Sequence, residues 1–118
     1  MENETNPIGN ILVSHRAIAT IAYHSVQESY GVVGLAPKNL ASGFAKALVK
    51  DPTLGIDVDF NGESIKIDLY IIVEYGTRIK AVASSVANLI RYKVENTIGL
   101  PVTEVNVHVR GLRISSPD

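Results

Sequence analysis

The stretch GIDVDFNGESIKIDLYIIVEYG, residues 55–76, constrains the fold more than any other part of the chain. Two alternating runs flank Asn61-Gly62. That dipeptide favours a tight hairpin, because a type I′ turn needs positive φ at both central residues and Asn and Gly tolerate it best. The second run places Ile65, Ile67, Leu69, Ile71 and Val73 on one face and Lys66, Asp68, Tyr70, Ile72 and Glu74 on the other. A strand with one face wholly apolar must lie against other apolar surface. The chain is therefore expected to build a sheet covered on one side.

The cover is visible on either side of the hairpin. Gly76 and Thr77 open a helix over about 78–97, with Ile79, Val82, Ala83, Val86, Leu89, Ile90 and Val94 recurring at helical spacing. Gly99 fits the position after a helix end, and Pro101 blocks continuation. A closing strand over about 102–111 follows. Its Val105, Val107 and Val109 alternate with Glu104, Asn106, His108 and Arg110. Upstream, Ser14 fits the N-cap of a helix over about 15–31, with Ile18, Ile21, Ala22, Ser25 and Val26 inward and Gly31 as its stop. GVVGL (31–35) reads as a short extended piece, and IGNILVS (8–14) as a short β-like run. Residues 36–54 fit either a short helix striped with Leu40, Phe44, Ala47 and Leu48, ended by Asp51-Pro52, or a loop with one helical turn. Residues 1–7 and 114–118 read as polar tails. The expected architecture is a single domain over 8–113. It is a two-layer α+β sandwich, a mixed sheet of four or five strands with two main helices on one face.

Composition narrows the function. A chain of 118 residues is one domain by default, and 46% hydrophobic with 19% charged residues suits a globular protein rather than a disordered one. A formal net charge of −1 gives no global pull toward nucleic acid or membrane. The chain has no cysteine, which removes disulfides and thiolate metal sites and suits a reducing compartment. The start, MENETNPIG, shows no apolar signal-peptide core, and no apolar run approaches the roughly 18 residues of a membrane span. A cytoplasmic location is expected, with any membrane contact made through a partner.

No catalytic constellation emerges. His15 and His24 on the first helix and His108 on the closing strand show no metal-ligand spacing, so no metal or cofactor is expected. Ser14, Ser25, Ser84 and Ser85 lie outside any nucleophile motif. Asp57, Asp59, Asp68 and Glu74 read as solvated strand faces. GVVG (31–34) superficially matches the GxxG loop of KH domains but carries valines where that loop usually has a basic residue. Arg78, Lys80, Arg91, Lys93, Arg110 and Arg113 give a KH-like nucleic-acid surface as one alternative, against the near-neutral net charge. A pocket for an acyl ligand roofed by Leu40, Phe44 and Leu48 is another. The leading reading is a non-enzymatic module that binds a protein partner or itself. Tyr70, Ile72, Asn106, His108 and Arg110 are its candidate interaction surface, since Tyr70 and Ile72 bring apolar area to a face that should be polar and strand edges offer unpaired backbone.

Four stretches, taken in order, carry a resemblance over nearly the whole chain. They are GNILVSHRAIATIA, YGVVGLA, IKIDLYIIVEYGTRIKAVASSV and TIGLPVTEVNVHVRGL. The set resembles the alkaline-shock-protein family of Gram-positive bacteria, also called Gls24-like envelope stress proteins; residues 36–54 resemble it least. The resemblance implies a cytoplasmic, non-catalytic protein of cell-envelope homeostasis, sometimes held near the membrane by an anchored partner. The chain looks most like short housekeeping members, which are often encoded beside a subunit similar to dihydroxyacetone and fatty-acid kinases. The family offers no catalytic residues to carry over.

Overall fold

The structure, a computed structural model, describes residues 14–38 and 51–114. The β-like run of 8–13, the tails at 1–7 and 115–118, and the Leu40–Leu48 stripe with its acyl-pocket reading lie outside the described residues. In chain order the elements are α1 (His15–Glu28), β1 (Val32–Leu35), a single helical turn α2 (Pro52–Gly55), β2 (Ile56–Phe60), β3 (Ile65–Glu74), α3 (Ile79–Ile98) and β4 (Val102–Arg113).

β3 organises the sheet. β4 runs parallel to it along its whole length, from Ile65 opposite Val102 to Glu74 opposite Arg113. β1 and β2 both run antiparallel to it, β1 beside residues 71–73 and β2 beside 65–69. A strand has two edges, so β1 and β2 share one and β4 takes the other. The sheet is mixed and open, with α1 and α3 on one face. The parallel step from β3 to β4 is bridged by α3, which parallel neighbours require because a tight turn cannot join them.

The core lies between the helices and the inner face of β3. Ile65, Ile67, Leu69, Ile71 and Val73 are fully buried against Ile18, Ala22 and Val26 of α1 and Val82, Val86, Ile90 and Val94 of α3. Val105, Val107 and Val109 pack on the rim of this cluster and are only partly buried, since β4 is an outer strand. Ile79, expected inward, is 41% exposed, as the first residue of α3. α1 ends at Glu28 rather than 31, with Ser29 extended and its N–H on the Val26 carbonyl. Ser14 caps α1 by accepting from Ala17 N at 3.1 Å, and Gly99 ends α3 in the left-handed region.

Two local expectations change. The β2–β3 connection spans four residues, with Phe60 opposite Ile65. It is not a two-residue type I′ turn. Asn61 Oδ1 accepts from the backbone N–H of Glu63 and Ser64 at 2.9 and 3.0 Å, so the Asn side chain holds the loop and Gly62 supplies the positive φ. GVVG is no helix–helix loop either. Gly31 closes a turn and Gly34 sits within β1 opposite Ile72, which removes the loop on which the KH-like reading leaned.

Candidate functional site

The helix-free face of the sheet carries the expected polar row, and the parallel β3–β4 register decides its neighbours. Lys66 lies opposite Glu104, Asp68 opposite Asn106, and Tyr70 opposite His108. The Tyr70 and His108 rings stack, 4.7 Å between centroids and 14° from parallel. The Arg110 guanidinium lies over the Tyr70 ring at 5.0 Å. A cation in that position is attracted by the ring's negative face, worth about 0.5–1 kcal/mol where exposed. His108 Nε2 lies 3.0 Å from Asp68 Oδ1, hydrogen-bonding distance for the tautomer protonated at Nε2. Asn106 donates to Glu104 Oε2 at 2.8 Å.

The row continues across β3. Asp57 of β2 is the direct antiparallel partner of Asp68, a like-charge pair that would repel if bare. Each carboxylate has its own polar neighbour: the Lys38 ammonium lies 2.6 Å from Asp57, and His108 Nε2 lies 3.0 Å from Asp68. The result is one strip, Lys38–Asp57–Asp68–His108–Tyr70–Arg110, drawn from three strands and the segment after β1.

Four of the five expected surface residues fall in this arrangement or border it: Tyr70, Asn106, His108 and Arg110. Ile72 does not. It is only 2% exposed, lies outside the helix-facing core cluster, and has Gly34 and Gly111 as register neighbours. The chain itself covers it, so Ile72 offers nothing to a partner. Asp68 and Lys38 were not singled out from the sequence as part of this surface. Alternation puts Asp68 on the right face, but no local signal says that β4 lies beside it.

A stacked ring pair, a guanidinium and a side-chain amide offer π, cationic and hydrogen-bonding contacts. Among the described residues, no hydroxyl is hydrogen-bonded to His108, and no three His, Asp or Glu side chains gather as a metal set. A second concave feature, a cleft of about 360 Å³, opens where the end of α1 meets the start of α3. Tyr30, Thr77, Arg78, Val82 and Ser85 are among its lining residues. No helix among the described residues is long and apolar enough to cross a membrane.

Residues 3–114 match the profile of the alkaline shock protein 23 (ASP23) family, described as having a cell envelope-related function. Uncharacterized protein YloU of Bacillus subtilis (strain 168) is 42% identical over 111 residues, covering 92% of each chain. Uncharacterized protein YqhY of the same organism is 30% identical over 117 residues, 98% of this chain and 86% of that one. Among solved structures, two MamM CTD variants each superpose with a TM-score of 0.51. At 14% and 13% identity, and with 86% and 87% of this chain covered against 87% and 100% of theirs, they share the fold alone.

Proposed function

The chain belongs to the ASP23 family, of cell envelope-related function, and from that premise we propose that it is a non-enzymatic assembly module. It docks a protein partner through the helix-free face of its sheet. The observation that carries this reading is the Tyr70–His108 stack with Arg110 over the ring, on a face that neither main helix covers. Tyr and Arg are the side chains that most often anchor protein interfaces, because each combines broad contact area with directional polar groups. Here they are held in place before any partner arrives, which lowers the ordering cost of binding. The working location is cytoplasmic, next to the envelope. The partner, membrane-anchored or kinase-like, supplies the membrane contact and the link to envelope stress.

The experiment is affinity purification of the tagged full chain from its native host at mild salt, run beside Tyr70→Ala and His108→Ala. Envelope-associated proteins recovered with the wild type should be lost with both variants, while thermal unfolding shifts by only a few degrees for truncations of exposed side chains. Equal recovery by wild type and variants would remove this face as the docking surface. Recovery of nothing, from a chain that also stays monomeric, would remove the assembly reading altogether.

A further inference from the structure

The outer edge of β4 carries a self-complementary sequence, and we propose that a second copy of this chain pairs with it. The two β4 strands would run antiparallel about a two-fold axis through Val107. This deepens the assembly reading and rests on it.

The outer edge of β4 is unpaired among the described residues, and β3 has no edge left to take another strand. β4 takes one of its edges, β1 and β2 take the other, and among the described residues no strand lies beyond β4. Open edges are normally blunted by brevity, lysine, proline or bulges. β4 has 12 residues. Its register against β3 slips twice, between the partners of Ile65 and Lys66 and between those of Ile71 and Ile72. The first slip skips Thr103 and the second skips Arg110, so Glu104 to Val109 keep unbroken register with Lys66 to Ile71, and the stretch Glu104 to Arg110 contains neither lysine nor proline. The edge is irregular at its ends and regular in the middle.

The stretch EVNVHVR, ending at Arg110 in the second slip, is complementary to its own reverse, acid to base and valine to valine. Antiparallel pairing centred on Val107 sets Glu104 against the partner's Arg110 and Arg110 against the partner's Glu104. Val105 and Val109 meet each other, Asn106 meets the partner's His108, and Val107 meets its own copy. Directly opposite residues share a face, with side chains about 5 Å apart. The valines therefore extend the apolar rim of both cores on one side, and the two acid–base pairs form on the other. Glu104 and Arg110 are both exposed, and pairing would draw Glu104 from Asn106 and Arg110 from the Tyr70 ring.

Other registers lose this match. Slipping by one residue turns the faces over. Moving the centre to His108 sets Glu104 against Leu112; moving it to Asn106 sets Arg110 against Val102. Only the Val107 register gives the single acid of the stretch to its single base. Past Arg110, Leu112 is 46% exposed and Ile114 is 73% exposed. The two-fold lays them beside the start of the partner's strand, adding apolar contact at each end of the pairing.

Sedimentation equilibrium of the full chain tests the inference, with circular dichroism confirming that each variant is folded. The wild type should dimerise. Glu104→Arg alone, which faces arginine with arginine, should weaken the dimer on the order of tenfold or more, and so should Arg110→Glu alone. The double exchange Glu104→Arg/Arg110→Glu should restore it. A monomeric wild type, unaffected single variants, or an unrestored double variant would each overturn the proposal. Hydrogen exchange on the wild type gives an answer that needs no variant. Alternate amides between residues 104 and 110 should become protected as concentration rises, and their failure to do so would also overturn it. Glu104→Arg leaves Tyr70, His108 and Arg110 in place. Partner capture that survives this variant while the dimer is lost shows edge pairing and face docking to be separate. If the edge proposal fails while capture still depends on Tyr70, the assembly reading stands without it.

Discussion

Gly31 bears two constraints at once. Its φ is +86°, and a Cβ built there would meet Val82 Cγ2 at 2.7 Å. Gly62 has φ +95° with nothing within 4 Å of such a Cβ. Gly62→Ala should therefore cost only the left-handed penalty, about 1–2 kcal/mol. Gly31→Ala should cost that plus overpacking of about 1–3 kcal/mol, since Val82 belongs to the core and cannot retreat freely. Urea denaturation of the two variants tests the order; equal midpoints would mean that the Val82 contact is relieved without cost. A stop at Gly31 is readable in the sequence, whereas the approach of Val82 is not, because 51 positions separate the two residues. Ile72 follows the same rule. Alternation places it on the face away from the helices, yet its burial depends on surroundings that alternation cannot report.

Among the elements, α3 does more than cover the sheet. Arg91 and Glu95 lie one turn apart on it and grip both backbone groups of Val102, the first residue of β4. Glu95 Oε2 accepts from Val102 N–H at 2.8 Å, and Arg91 Nε donates to Val102 C=O at 3.2 Å. The helix thus fixes where the returning strand begins. Removing the acceptor in Glu95→Ala leaves a partly buried N–H without its partner, a loss of about 1–3 kcal/mol. Thermal denaturation together with faster exchange of the Val102 amide would show it; an unchanged amide would mean that the grip does not set the start of β4. The α3 pattern itself was plain in the sequence, as were its Gly99 end and the Ser14 cap of α1. Nothing there marks Arg91, read as one of several basic residues, or Glu95 as a clamp on β4, because their partner is backbone brought back by the chain reversal at Gly99–Pro101. The two helices are also tied by Lys93 Nζ to Glu28 Oε1 at 3.3 Å, a surface pair of small energetic weight.

For the molecule as a whole, β3 is the one described strand with both edges paired and its inner face fully buried. Opening it breaks the sheet on both sides and the core together. Its amides from Ile67 to Ile71 should exchange slowest, near the rate of global unfolding. In dilute solution the outward amides of β4 should exchange much faster. Native-state hydrogen exchange read by NMR decides this, and comparable protection across β3 and monomeric β4 would contradict the picture of β4 as an open edge.

The sequence by itself determined the strands and helices, which faces are apolar, and that two helices must cover one side of a sheet. These follow from periods of 2 and about 3.6 residues, which local chain geometry imposes. Tertiary structure alone decided that β4 lies parallel beside β3, and that β1 and β2 share the opposite edge. Strand neighbours are chosen by the pooled burial of distant segments, a quantity no short window contains. The site inherits that division. Tyr70, Asn106, His108 and Arg110 were readable as an exposed row. The stack of His108 on Tyr70, its contact with Asp68, and the β4 edge beside Glu104 and Arg110, unpaired among the described residues, exist only because that parallel register was set.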